Sequence, residues 1–216
     1  MSPPRPSSIS AVDASSPSAT EASQTSGAPA NSTAPEFSKE ERTLLLRLAH
    51  DSIRSALEQT ELSLEPPTPH LAEPRGVFTS LYLHGDLRGC VGYVLPVSPV
   101  YRAAAETARA AAFEDTRFYP VSREEEPNLQ VELSILSPPQ AIAAQDVEIG
   151  RHGLLISRHG NRGLLLPQVP VEHNWDRTTF LEQTCRKAGL PLDAWQNGAT
   201  IEGFTAEVFG DKDVPA

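Results

Sequence analysis

Cysteine, methionine and aromatic side chains are scarce in this chain of 216 residues, which holds two Cys, one Met and 6% Phe, Trp and Tyr. Cys90 and Cys185 lie far apart and form no C-x-x-C spacing, so neither a disulfide framework nor a zinc knuckle is indicated and a reduced compartment is expected. Radical chemistry based on an iron–sulfur cluster needs several cysteine ligands and cannot reside in this chain. Basic residues are in deficit, 18 Lys and Arg against 28 Asp and Glu. The resulting formal net charge of −10 argues against a nucleic-acid binder, whose non-specific affinity comes from neutralising phosphates. No window approaches the roughly 18 apolar residues of a membrane span, and residues 1–30 lack the apolar core of a secretory signal. A soluble, cytoplasmic protein is the expectation, with protein or small-molecule partners and neither nucleic acid nor membrane among them.

Residues 1–37 are almost wholly Ser, Ala, Pro and Thr, a composition with too little apolar surface to offset the entropy of ordering. They read as a disordered leader, followed by a domain over 38–209 and a polar tail over 210–216. Ser38-Lys39-Glu40-Glu41 is a capping box, after which Leu45, Leu46, Ala49, Ile53, Ala56 and Leu57 recur at helical spacing. Val77 to Leu83 is β-branched and aromatic, and His84-Gly85-Asp86 supplies a turn, so two antiparallel strands joined by a tight hairpin follow. Ser98-Pro99 reads as an N-cap with proline in the first turn of an alanine-rich helix.

Further on, residues 129–136 alternate as a half-buried strand, and His159-Gly160-Asn161 turns a second hairpin. Asp176 can cap a helix that Gly189-Leu190-Pro191 stops, and on it Cys185 reads as packing. Residues 199–209 read as one closing strand. Helices mixed with hairpins give an α+β fold, an antiparallel or mixed sheet flanked by helices.

The run Leu87-Arg88-Gly89-Cys90-Val91-Gly92 places a cysteine beside an arginine and between glycines, near the start of the second strand. Guanidinium charge and glycine-freed backbone N–H groups are surroundings that favour the nucleophilic thiolate. The same strand, continuing Val91-Gly92-Tyr93-Val94-Leu95, could instead bury the thiol as a small hydrophobe.

That run, together with Ala112-Phe113-Glu114-Asp115-Thr116-Arg117-Phe118 and Val131-Glu132-Leu133-Ser134-Ile135-Leu136-Ser137, resembles the AMMECR domain, known in bacteria as AmmeMemoRadiSam system protein A. Gly150-Arg151-His152-Gly153-Leu154, Gly163-Leu164-Leu165-Leu166-Pro167-Gln168-Val169, Glu172, Trp175-Asp176, Phe180-Leu181 and Lys187-Ala188-Gly189-Leu190 continue the likeness in order across 38–209. The resemblance implies larger and smaller lobes with a cleft between them, the Leu-Arg-Gly-Cys run facing that cleft. It also implies partnership with a Memo-type protein and a radical S-adenosylmethionine protein. Val91, Val171 and His173 depart from the family pattern, so His173 carries no family role.

Two readings result. In the first, Cys90 is the nucleophile of a cleft that binds or covalently handles a small acidic molecule. Arg88 holds the anion, Gly89 and Gly92 admit a close backbone approach, and protons are moved by His152 or by Glu172, which reads as fixed in a proline-flanked loop before a helix start. No metal or cofactor is called for: Cys90, His152, Glu172 and His173 are ligand types without the close spacing of metal motifs. In the second reading the chain is a non-catalytic adaptor that docks onto the Memo-like and radical S-adenosylmethionine proteins.

Overall fold

A computed structural model describes residues 35–65 and 67–213; the first 34 residues of the expected leader and the last three of the tail lie outside them. The order of elements is α1 (Lys39–Glu58), β1 (Pro74–Leu83), β2 (Asp86–Pro99), α2 (Val100–Phe113), β3 (Leu129–Leu136), β4 (Gln140–Ala141), β5 (Gly153–Arg158), β6 (Asn161–Leu165), α3 (Gln168–Glu172), α4 (Arg177–Lys187), β7 (Thr200–Phe204) and β8 (Ala206–Gly210). The strands form two antiparallel four-stranded sheets, ordered β2-β1-β3-β8 and β4-β7-β5-β6. The fold is therefore α+β, with two sheets where the alternation of the sequence suggested one.

Local signals in the sequence act as physics requires. Ser38 Oγ accepts from the Glu41 N–H at 3.2 Å and the Glu41 carboxylate accepts from the Ser38 N–H at 3.0 Å, closing the capping box. His84 and Gly85 both take positive φ, 54° and 95°, so the β1–β2 hairpin turns through two residues whose twist matches the strands. Asp176 accepts from the Thr179 N–H at 2.7 Å, and Gly189 adopts φ +69° after α4.

Three expectations shift. Ser98 does not cap α2: Pro99 is the N-cap, and no side chain caps it. The orphan amides of Val100 and Tyr101 donate instead to the carbonyls of Glu73 and Leu71, at 2.9 and 3.3 Å. Glu172 sits not in a loop but at the end of the short helix α3. The closing strand is two strands, parted at Thr205, with β7 in one sheet and β8 in the other. Across that break the Ser137 N–H donates to the Thr205 carbonyl at 2.9 Å and the Thr205 N–H to Ser137 Oγ at 3.0 Å, so a paired ribbon runs from one sheet into the next.

Each sheet has its own core. Val77, Leu81, Val131, Leu133 and Ile135 of the first sheet pack with Leu45, Ile53, Ala104 and Ala108 of α1 and α2; Leu154 and Ile156 of the second pack with Phe180, Leu181 and Cys185 of α4. Phe37, assigned by composition to the leader, is 1% exposed in the first core and stacks on His70 at 4.8 Å. Because the helices bury only one face of the first sheet, the opposite face, which carries Phe78, Ser80 and Tyr82, is left half-buried.

Candidate functional site: the thiol face and the loop that clamps it

Cys90 lies on β2, the edge strand of the first sheet, opposite Ser80 of β1, which is in turn opposite Glu132 of β3. Side chains paired across strands share a face, so Cys90, Ser80 and Glu132 form a row on the side away from the helices. Ser80 Oγ donates to Cys90 Sγ at 3.4 Å, and the Tyr82 hydroxyl, on the same face, donates to Glu132 Oε1 at 3.4 Å. Burial, and then the Glu132 carboxylate, push the Tyr82 phenol above its usual range. The thiol itself is half-buried, unlike that of Cys185, which is sealed in the second core.

An edge strand leaves backbone groups without strand partners, and at Cys90 two side chains stand in for the missing strand. Asp115 Oδ2 accepts from the Cys90 N–H at 2.8 Å, and Arg117 Nη2 donates to the Cys90 carbonyl at 3.2 Å. The pair is joined by its own ion bridge of 2.7 Å. Hydrogen bonds from Arg117, with the Cys90 amide adding to them, hold the Asp115 carboxyl down at about 2.

Arg88 is committed to the neighbouring loop. Its Nε and Nη2 donate to Glu125 Oε1 and Oε2 at 2.9 and 3.0 Å, and its Nη1 and Nη2 donate to the carbonyls of Tyr119 and Pro120 at 2.7 and 3.3 Å. Gly89 and Gly92 are positions of close packing. A Cβ on Gly89 would fall 2.2 Å from the Ala111 carbonyl oxygen of α2, and one on Gly92 would fall 2.4 Å from the Phe78 ring. The space that glycine leaves is thus taken by the protein itself.

Glu172 and His152 belong to the part of the chain that builds the second sheet. Glu172 is exposed at the end of α3, and among the described residues none of the hydrogen bonds of Cys90 reaches either one. His152 Nδ1 accepts from the Glu148 N–H at 3.0 Å; burial, and then the charge of Arg151, hold its imidazole below the usual range. It lines a cavity of about 320 Å3 at the Ser137–Thr205 crossing, together with Phe204 and Ile142. A larger, open depression of about 630 Å3 is walled by Arg88, Arg117, Phe118, Tyr119, Ser122 and Glu125. Among the described residues no three His, Cys, Asp or Glu side chains converge as a metal site.

The sequence reading therefore reached Cys90 but not the groups around it. Asp115 and Arg117 were visible as a charged pair two residues apart in a segment already singled out. Ser80 and Glu132 carry no signal until the strand order is known.

The AMMECR1 family model matches residues 46–209. The chain belongs to the AMMECR1 family. Relatives at similar distance include Protein MK0488 of Methanopyrus kandleri, 41% identical over 186 residues covering 81% of this chain and 90% of that one. Protein PF1979 of Pyrococcus furiosus is 42% identical over 183 residues, covering 78% and 87%. The crystal structure of the uncharacterized protein PH0010 from Pyrococcus horikoshii aligns with a TM-score of 0.64 at 40% identity, over 79% of this chain and 91% of that one. AMMECR1-family membership thus accounts for the α+β fold and for the likeness seen in the sequence. Among the described residues no helix is long and apolar enough to cross a membrane.

Proposed function

We propose that this AMMECR1-family protein uses Cys90 in a site that binds or covalently handles a small acidic molecule. One observation carries the reading: of the two thiols this is the one solvent reaches, and its backbone is fixed on both sides by Asp115 and Arg117. Fixing the main chain sets the direction of the sulfur without occupying it, as a nucleophile requires. Arg88 and Arg117 stand beside the strand, each paired with a carboxylate, Glu125 and Asp115, while Gly89 and Gly92 act by letting α2 and Phe78 shape it. The proton handling expected of Glu172 and His152 falls in this reading to Tyr82 and Glu132, which share the sulfur's face. Two unpaired thiols suit a reduced, cytoplasmic compartment.

Labelling of the native protein with iodoacetamide, read by intact mass and peptide mapping, tests this. One adduct is expected, on Cys90, with Cys185 modified only after unfolding, and purification from cells should carry an acidic adduct on the same residue. A native protein in which Cys90 stays unlabelled while the denatured protein takes two adducts would remove the proposal.

A second reading, that of an adaptor for Memo-like and radical S-adenosylmethionine proteins, is favoured by Tyr119. The residue is 90% exposed although its own carbonyl and that of Pro120 are pinned by Arg88. A rigidly held, exposed aromatic loses little entropy on docking. Tyr119→Ala should leave the melting temperature unchanged and weaken co-purification with those partners by tenfold or more, about 1.4 kcal/mol. Cys90→Ser should leave that association intact; association indifferent to Tyr119→Ala would count against this surface.

A further inference from the structure

We infer that the Arg88 fork is a carboxylate-binding site which Glu125 fills from within the chain, and that an acidic ligand enters by displacing Glu125. The inference rests on the reading of the Cys90 region as an acid-handling site, and it names the ligand class and the residue that regulates entry.

The Glu125 carboxylate sits in a cradle of three N–H donors: Arg88 Nε at 2.9 Å, Arg88 Nη2 at 3.0 Å, and the backbone N–H of Ser122 at 2.8 Å. Two parallel guanidinium bonds with one backbone bond are the arrangement by which proteins recognise a ligand carboxylate. Hydrogen bonds from Arg88, and then from Ser122, hold the Glu125 carboxyl below its usual range.

Three features separate this cradle from an ordinary structural ion pair. First, it forms part of the wall of the 630 Å3 depression, so its occupant meets solvent and could be exchanged from there. Second, Arg88 also donates to the carbonyls of Tyr119 and Pro120, at 2.7 and 3.3 Å. The fork therefore stays aimed when Glu125 leaves, whereas an arginine held by its carboxylate alone would swing away. Third, Arg117 lines the same depression, its side chain 43% exposed. Asp115 and the Cys90 carbonyl take its Nε and Nη2, and among the described residues its Nη1 carries no hydrogen bond, so that edge of the guanidinium is open to a ligand. A ligand with two carboxylates could bridge the two guanidinium groups and come to rest along the strand that carries the thiol.

The occupant fitted to these groups is a small dicarboxylate, its chain lying against Phe118 and Pro120. Glu125 then acts as a competitor that keeps the fork neutralised until such an acid is abundant. Apparent affinity falls by the fraction of molecules in which the fork is free, so removing the competitor restores it.

Succinate is the probe. In isothermal titration at near-neutral pH, Glu125→Gln should bind succinate at least about tenfold more tightly than wild type, corresponding to a fork free in a tenth of molecules or fewer. The double variant Glu125→Gln, Arg88→Met should lose that binding. In wild-type protein the Nε–H resonance of Arg88 should shift at saturating succinate, a readout that holds even if the variants fold poorly. A folded Glu125→Gln protein binding succinate no more tightly than wild type, a gain that survives removal of Arg88, or an Arg88 resonance that succinate does not move would each overturn the inference. Repeating the titration on Cys90→Ser keeps the two ideas apart. Succinate binding should persist there, whereas failure of Cys90 labelling would bear on the thiol and not on the fork.

Discussion

Gly89→Ala is expected to lower the melting temperature by about 6–12 °C, as measured by circular dichroism or calorimetry. The added Cβ would lie 2.2 Å from the Ala111 carbonyl oxygen and 3.0 Å from its carbon, both backbone atoms of α2. No rotamer change can relieve a clash with main chain, so helix and strand must separate. Overpacking of this kind costs about 3 kcal/mol, and each kcal/mol is worth about 2–4 °C in a chain of this size. Gly85 is the comparison. There a Cβ would meet nothing within 4 Å, but φ is +95°, so only backbone conformation opposes a side chain. Gly85→Ala should cost about 1–2 kcal/mol. If Gly89→Ala melted with wild type, α2 could not be seated on β2 as described. The same variant should alter Cys90 labelling, because the strand that aims the thiol is pressed into place by that contact.

Asp115→Asn is expected to destabilise the protein by about 2 kcal/mol near neutral pH, the loss fading in acid. The Asp115 carboxyl is held at about 2 against an ordinary 3.8, first by the hydrogen bond from Arg117 and then by the Cys90 amide. Its side chain is only 6% exposed but that of Arg117 is 43% exposed, so solvent screening takes part of the interaction and holds the expected loss to about 2 kcal/mol. The sign follows from proton uptake: a carboxyl whose folded value is depressed binds its proton more readily when unfolded, so its contribution is complete above 3.8 and disappears as pH falls towards 2. Urea unfolding across that interval should show the two proteins converging from the higher-pH end downwards. A constant gap at all pH values would mean that the carboxylate charge does not hold the Cys90 backbone. Labelling rates should separate the same cases, since an unclamped edge strand frays and exposes its sulfur to reagent.

These two expectations concern residues of the same motif region, yet they differ in how much could be read from sequence. Glycine beside Cys90 drew attention as a possible approach for a ligand, and it is an approach for α2. Arg88 drew attention as an anion holder, and the anion it holds is the chain's own Glu125, in the run Arg123-Glu124-Glu125-Glu126 whose contact with Arg88 only the fold brings about. Cys185 was legible as core because its neighbours on α4 recur at helical spacing, and it is fully buried.

By itself the sequence determined what depends on residues within a few positions of one another. The capping box at Ser38 and Glu41, the turns at His84-Gly85 and His159-Gly160, the Asp176 cap, the Gly189 stop and the alternation of β3 are all of this kind. Their energetics are local, through caps, left-handed φ and the period of a strand, so no partner need be known. Only the tertiary structure decided that residues 199–209 divide between two sheets at Thr205, that Phe37 joins the core, that Asp115 and Arg117 replace a missing strand beside Cys90, and that Ser80, Tyr82 and Glu132 share the sulfur's face. Each of these depends on which strand lies beside which, and alternation along a strand reads the same whatever partner completes its ladder.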